Sequence, residues 1–218
     1  PAAANVATIT VTGGIAANTF CVRLFNANNV TIDGSNSGGS DRSLTITQDT
    51  VVALNRNGVL ITKGSKNITV KNTIVEGPRR VAVLTGGADP IRIVNTGFAA
   101  NGGQNNITIN NNWVRRGATG ISQVAANGGT VRDTNIVITN NLIGGGALVA
   151  QLAHLANRGV DFNGNQDIVV ADNDINGIYV ISGTNLPTGA HLSGNYRNAL
   201  VTRNQVHNLV CVSAANFP

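Results

Sequence analysis

Charged and aromatic residues are scarce in this sequence. Of its 218 residues, 11% are charged and 4% are aromatic, whereas charged residues usually make up about a quarter of a soluble domain. Asparagine amides supply the polarity instead. Disordered chains combine low hydrophobicity with high net charge, but this chain is 42% hydrophobic. The composition therefore excludes a disordered chain and predicts one folded domain over residues 1–218, built on a single core or repeat array.

Long apolar runs and tryptophan are also lacking. No run reaches the roughly 18 apolar residues that a membrane helix requires, so we expect no membrane span. The net charge of +5 suits contact with acidic polymers, although a shortage of carboxylates explains it equally well. Since Trp113 is the only tryptophan, the aromatic residues that stack on bases are missing, and we expect no nucleic-acid partner.

What the sequence has in abundance is one repeated pattern. Each copy begins with a polar residue and a short alternating strand, followed by a polar pair and a second short strand. Five copies align without gaps, and their first strand residues are Ile68, Ile107, Ile136, Ile168 and Ala199. The intervals between them are 39, 29, 32 and 31 residues. "NNVTIDG" (Asn28 to Gly34) and "RSLTITQ" (Arg42 to Gln48) look like earlier, less regular copies.

An interval near 30 residues with short strands restricts the fold. Helical solenoids need amphipathic stretches with a period of 3.6 residues, and a sandwich has no reason to repeat its sequence. A coil in which each copy makes one circuit and stacks on the preceding copy satisfies both observations. We therefore predict an all-β chain, a right-handed parallel β-helix of about six or seven coils.

Equivalent positions of the copies should then form columns in space. The seventh residue after each reference is β-branched and should face inward (Val75, Val114, Ile143, Ile175 and Val206). The fourth and fifth are mostly asparagine, which tolerates the left-handed conformation of a sharp corner and can bond to the copies above and below. We predict an asparagine ladder from these columns: Asn72, Asn111, Asn112, Asn140, Asn141, Asn173 and Asn204.

The pattern N-I-x-I-x-N-N-x-I-x-G resembles the right-handed parallel β-helix repeat family, which includes pectate lyases and many secreted surface proteins. The stretch from Cys21 to Ile46 further resembles large secreted bacterial cell-surface proteins that carry such repeats. This resemblance implies the fold and a location outside the cell or on its surface. It leaves the function open, because the superfold hosts lyases, hydrolases, adhesins and inert fibres.

Catalytic and metal-binding patterns are absent. The enzymes of this superfold use clustered carboxylates, but Glu76 is the only glutamate here and the nine aspartates are scattered. Asp172 and Asp174 flank a predicted corner, either as a carboxylate pair or as two exposed turn residues. The three histidines, His154, His191 and His207, have no metal-ligand spacing. We expect no catalytic site, no metal and no cofactor.

Paired arginines follow the second strand of two successive copies. If the coils align them, Arg79, Arg80, Arg115 and Arg116 form one edge that can bind carboxylated or sulfated sugars, because guanidinium groups match such anions. The alternative is that these arginines are solvated corner residues. A polysaccharide lyase, hydrolase or binding module is therefore the second functional interpretation.

The cysteines and the two ends of the chain point to self-association. Cys21 and Cys211 lie near opposite ends, too far apart in a stack of coils for an intramolecular disulfide; they are either buried thiols or partners in an intersubunit bond. The chain begins at Pro1 without a signal-peptide pattern, so we expect a mature or excised segment of a longer chain. Neither end shows the polar cap that solenoids need. Either further repeats flank this segment or copies stack head to tail.

One stretch departs from the repeat. "ALVAQLAHLANRG" (Ala147 to Gly159) contains helix-forming residues and a possible helix end, so we predict a short helix or a loop there. Taken together, the residues favour a secreted, non-catalytic structural protein, a building block of an extracellular filament or adhesin.

Overall fold

The computed structural model describes residues 7–12, 19–49, 56–78, 88–95, 102–124, 132–145, 155, 157–164, 166–180, 187–194 and 197–211. Three parallel sheets, here named A, B and C, contain all the strands of these residues. Sheet A has seven strands: β1 (Ala7–Thr12), β4 (Leu44–Asp49), β7 (Thr73–Glu76), β10 (Trp113–Arg115), β13 (Leu142–Ile143), β16 (Asp174–Val180) and β19 (Gln205–Cys211). Sheet B has six: β2 (Thr19–Phe25), β5 (Arg56–Thr62), β8 (Ile91–Val94), β11 (Thr119–Val124), β14 (Arg158–Asn163) and β17 (Thr188–Ser193). Sheet C also has six: β3 (Asn28–Asp33), β6 (Lys66–Lys71), β9 (Asn105–Asn110), β12 (Thr134–Thr139), β15 (Gln166–Ala171) and β18 (Arg197–Thr202).

The chain visits the sheets in the fixed order A, B, C and then returns to A one level higher. Each circuit is one coil, and neighbouring coils pair in parallel at the usual strand spacing of about 4.8 Å. The described strands make six coils and the first strand of a seventh. The predicted right-handed parallel β-helix is therefore confirmed.

The register confirms the five-copy alignment. Ile68 pairs with Ile107, Ile107 with Ile136, Ile136 with Ile168, and Ile168 with Ala199, so the unequal intervals still place equivalent residues in one column. "NNVTIDG" is a true sixth copy, because Val30 pairs with Ile68.

"RSLTITQ" is not another copy of that first strand. Its residues lie in β4 of sheet A, where Ile46 pairs with Val75. The alternation of apolar and polar residues is the same in all three sheets, so alternation alone did not show which sheet the strand belongs to.

The core is filled by columns of β-branched residues. In sheet C the four reference isoleucines from Ile68 to Ile168 are fully buried, and so are Ile46, Val75, Val114, Ile143 and Ile175 of sheet A. Sheet B contributes Val59, Ile91, Ile121 and Val160. Each such side chain contributes roughly 1.5–3 kcal/mol on burial. The predicted inward column is confirmed for four of its five members, whereas Val206 in the last coil is 48% exposed.

The described residues contain no helix. The short helix or loop predicted from Ala147 to Gly159 does not reach its predicted end, because Leu155 bridges to Ile178 and Arg158 begins β14. Residues 147–154 and 156 lie outside the described residues. A helix able to cross a membrane is likewise not found in the part of the chain that the structure describes.

Candidate functional site

A buried asparagine ladder runs up the turn between sheets C and A. The backbone N–H and the side-chain Nδ2 of Asn112 both donate to Oδ1 of Asn141, at 2.9 and 3.1 Å. Asn141 repeats this contact with Asn173, and Asn173 repeats it with Asn204. Below Asn112, Thr73 donates to its Oδ1 through both N–H and hydroxyl. Each Nδ2 also bonds a backbone carbonyl of the preceding coil or strand, so the amides join successive coils in the interior.

The neighbouring column forms the corner itself. Asn72, Asn111, Asn140, Asp172 and Arg203 all have φ between 50° and 57°, the left-handed region that asparagine tolerates best among residues with a side chain. Nδ2 of Asn111 donates to Oδ1 of Asn72 at 2.8 Å, and Asn140 is exposed to solvent. Every member of the corner column thus has the left-handed conformation and some members also bond to the next coil, whereas the inner column is defined by its continuous buried hydrogen bonds.

Sequence reasoning missed a second, outer ladder. The residue before each reference position also has a left-handed φ, between 52° and 56° (Asn29, Asn67, Asn106, Asn135, Asp167 and Asn198). Asn67 donates to Asn29 and Asn106 donates to Asn67, both at 2.8 Å; Asn135 donates to Asn106, and Asn198 to Asp167. The signal was present, because every copy opens with asparagine or aspartate at this position.

The arginine edge is partly neutralised. Glu76 accepts hydrogen bonds from Nε of Arg115 at 2.6 Å and from Nη1 of Arg116 at 2.9 Å. One buried carboxylate therefore binds both guanidinium groups. Arg115 also lies 4.0 Å from the centre of the Trp113 ring. Arg79 and Arg80 lie outside the described residues. Binding of an acidic polysaccharide at this edge stays a prediction, with one carboxylate already present between two of its four cations.

Asp172 and Asp174 are each engaged by the coil above. Arg203 forms two hydrogen bonds of 2.7 Å with Asp172, and these bonds lower the pKa of that carboxyl. Nε2 of His207 lies 2.7 Å from Oδ1 of Asp174. The same oxygen accepts a hydrogen bond from Nδ2 of Asn176 at 3.1 Å. One ion pair, Asp172 with Arg203, and one hydrogen-bonding contact, Asp174 with His207, thus join the two coils here.

Three other carboxylates, which sequence reasoning did not single out, lie on or near sheet B. On its outer face Asp161 contacts Arg158 at 2.6 Å and His191 at 2.8 Å. Asp89 is buried and accepts the Ser122 hydroxyl at 2.5 Å; burial raises the pKa of its carboxyl. Burial also raises the pKa of Asp133 to about 6, although Gln123 and the N–H of Gln104 donate to its oxygens. The contacts of Asp161 with His191 and of Asp89 with Ser122 form only because the coils stack.

Comparison with family models, with characterised proteins and with solved structures finds no match. In the described ranges no group of three or more His, Cys, Asp or Glu side chains is placed to hold a metal ion. Cys21 lies in β2 and Cys211 in β19, at opposite ends of the stack, and both are thiols. The intersubunit disulfide stays a prediction.

The two ends of the stack expose core positions. At the upper end, Val201, Val206 and Leu209 are 46%, 48% and 37% exposed, although their partners one coil below, Val170, Ile175 and Ile178, are buried. At the lower end, Ile9 is 42% exposed while its partner Ile46 is fully buried. These exposed apolar residues all lie in strands at the two edges of the described stack.

Proposed function

We propose that this chain is a non-catalytic structural protein, a building block of an extracellular filament or adhesin, whose copies stack head to tail. The observation that carries the proposal is the exposure of inward-column apolar residues in the end strands that the structure describes, Ile9 in β1 and Val206 in β19. Edge strands with uncovered apolar residues are templates for pairing with another chain. A contact between two different ends that does not close into a ring generates a filament.

The interior of the stack supports the same function. Buried asparagines and the Asp172–Arg203 ion pair join consecutive coils, so the described coils are cross-linked along the stacking axis, the direction in which a filament carries load. The resemblance to secreted bacterial cell-surface β-helix proteins supports a location outside the cell or on its surface. Parallel pairing also lets a further coil add in the same register.

The proposal predicts that one charge at the upper end blocks association. Val206 belongs to an inward column and is half exposed, so Val206→Lys leaves the folded chain intact but places an ammonium group in the stacking surface. Sedimentation velocity and electron microscopy should show concentration-dependent filaments for the wild type and monomers for the variant.

The control is the adjacent residue. Gln205 lies in the same strand, is also exposed and alternates to the outer face, so Gln205→Lys adds the same charge outside the stacking surface. This variant should associate like the wild type. Monomeric wild-type protein at all concentrations, or equal loss of association in both variants, would contradict the proposal.

A further inference from the structure

Cationic and aromatic side chains meet at the turn from sheet B to sheet C, where β2 and β5 end. Cζ of Arg23 lies 4.3 Å from the centre of the Phe25 ring and 5.3 Å from the centre of the Phe20 ring. Nζ of Lys63, the residue after β5, lies 4.4 Å from the centre of the same Phe25 ring, so the contact joins two coils. Lys66 begins β6 on the other side of the turn. Arg23, Phe25, Lys63 and Lys66 are here named the Phe25 corner.

The corner presents its charges to solvent on a fixed support. Arg23 and Lys66 are exposed, and Phe25 is 42% exposed. Attraction between a cation and the face of an aromatic ring holds each charged group beside the phenyl ring. Because both distances end at the same ring centre, the guanidinium carbon and the ammonium nitrogen lie no farther apart than the sum of 4.3 and 4.4 Å. Two cations therefore lie close together beside one half-exposed apolar ring.

Lys63 has an unusual backbone conformation for its residue type. Its φ of 58° lies in the left-handed region, which costs a residue of this kind roughly 1–2 kcal/mol. In three other coils the same turn position holds a residue that adopts positive φ more readily (Asn26, Gly164 and Gly194). Strained residues of this kind cluster at functional sites. The side chain of Lys63, and not the turn, thus accounts for the residue at this position.

The negative charge of the same coil lies elsewhere. Neither Arg23 nor Lys66 forms an ion pair with a carboxylate in the part of the chain that the structure describes. Asp33 lies at the far end of β3, where Lys71 pairs with it at 3.0 Å. A strand of six residues separates that end from the Phe25 corner by about 17 Å. The corner is therefore a cationic region of the surface.

We infer that the Phe25 corner binds the surface of a bilayer that contains anionic phospholipids. Each Lys or Arg near such a surface strengthens binding by about fivefold, and an aromatic ring that enters the headgroup region adds apolar burial. The Phe25 ring and its neighbouring cations combine both contributions, whereas a soluble acidic polymer would use the charges alone. The inference does not depend on head-to-tail association, because the corner lies beside the stack and not across its axis.

Flotation of vesicles in a density gradient tests the inference. Vesicles of phosphatidylglycerol and phosphatidylcholine in equal amounts should carry the wild-type chain upward at about 0.1 M salt, but not at about 1 M, where charges are screened within about 3 Å. Vesicles of phosphatidylcholine alone should leave it at the bottom, where unbound filaments also stay. Arg23→Gln/Lys63→Gln should weaken binding about 25-fold, because two contributions of about fivefold are lost. Phe25→Ser should weaken it several-fold, because the ring supports both cations.

The matched control is Lys71→Gln/Arg203→Gln. It removes two cations that pair with aspartates beside the turn from sheet C to sheet A, so both double variants have the same net charge. The control should bind like the wild type, and thermal unfolding should show that all three variants are folded. Equal weakening in the two double variants would overturn the inference, since net charge alone would then explain binding.

Three other results would also overturn it. They are a wild-type chain that binds no vesicles, binding that Phe25→Ser leaves unchanged, and binding of dextran sulfate but not of the anionic vesicles. The last result would assign the corner to a soluble acidic polymer. None of them bears on filament formation, which sedimentation velocity without vesicles measures separately.

Discussion

At the scale of single residues, asparagine serves two separate purposes at adjacent positions. Asn140 sits in the left-handed region at φ 57°, with its side chain at the surface. Asn141 has a buried side chain that accepts from Asn112 and donates to Asn173 and to the carbonyl of Ile109. The first position requires a backbone conformation, and the second requires an amide with both a donor and an acceptor.

This difference predicts opposite tolerance to substitution. Asn141→Ala leaves the N–H of Asn112 and the carbonyl of Ile109 buried without their partners, which should lower the free energy of unfolding by about 2–4 kcal/mol. Asn140→Gly should leave it nearly unchanged, because glycine adopts positive φ without strain. Guanidinium unfolding of both variants measures the difference; equal losses would show that the inner ladder has no special role.

Asp133 is a second residue whose environment makes a measurable prediction. Burial raises its pKa to about 6, above the ordinary value of 3.8, so the folded chain binds this proton more tightly than the unfolded chain. Its contribution to stability is therefore full below pH 4 and is lost as the pH rises to about 6. The loss amounts to about 3 kcal/mol, at 1.36 kcal/mol for each pKa unit.

Asp133→Asn should remove this pH dependence. Relative to the wild type, the variant should gain about 3 kcal/mol between pH 4 and pH 7, measured by chemical unfolding at each pH. Asp172→Asn is the control with the opposite sign, because Arg203 lowers the pKa of Asp172 and its contribution is lost as the pH falls. A stability difference between Asp133→Asn and the wild type that does not vary with pH would contradict the assignment.

At the scale of elements, the connections differ in how strictly they repeat. From β9 onward, the turn from sheet C to sheet A is always two residues, such as Asn111 and Asn112. The connections from sheet A to sheet B differ much more in length. The shortest comprises residues 116–118, and residues 77–90 form one of the longest. The uneven intervals between copies arise mainly on either side of sheet B.

Sheet B also approaches sheet A closely. A Cβ at Gly58, Gly120, Gly159 or Gly189 would lie within 2.8 Å of a side-chain atom of Val75, Ile143, Ile175 or Val206. The β-branched column of sheet A thus fills the space that side chains on sheet B would need. The glycines are required by packing, since their φ values are ordinary.

Gly159→Ala tests this packing. The added Cβ would lie 2.4 Å from Cγ2 of Ile175 and 2.6 Å from the carbonyl oxygen of Gly189, so a backbone shift is needed. We expect a loss of about 1–3 kcal/mol in the free energy of unfolding. Gly39→Ala, in an exposed loop where only the Ser37 hydroxyl is near, should be almost neutral. A neutral Gly159→Ala would mean that the two sheets are farther apart than described.

At the scale of the whole molecule, each coil contacts chiefly the coils above and below it. Stability in such a stack is nearly a sum of coil and interface contributions, so the end coils are held least. β1, β18 and β19 have exposed side chains, whereas β9 and β12 have neighbours on both sides and buried inward columns.

Hydrogen exchange should therefore be graded along the axis. We expect the slowest amide exchange in β9 and β12 and the fastest in β1, β18 and β19, with mass spectrometry of peptic fragments as the measurement. Filament formation should slow exchange in β18 and β19. Uniform exchange from end to end would contradict this nearest-neighbour description.

The sequence by itself determined the fold, the interval between coils and the positions of the inner asparagine ladder. It could do so because a solenoid repeats its local environment, so each column of space leaves a column of similar residues, from Ile68 to Ala199 and from Asn112 to Asn204. Where residues interact without repeating, only the tertiary structure decided. Glu76 between two arginines, Asp161 beside His191 and the buried Asp133 each occur once, and their partners are one or more strands distant.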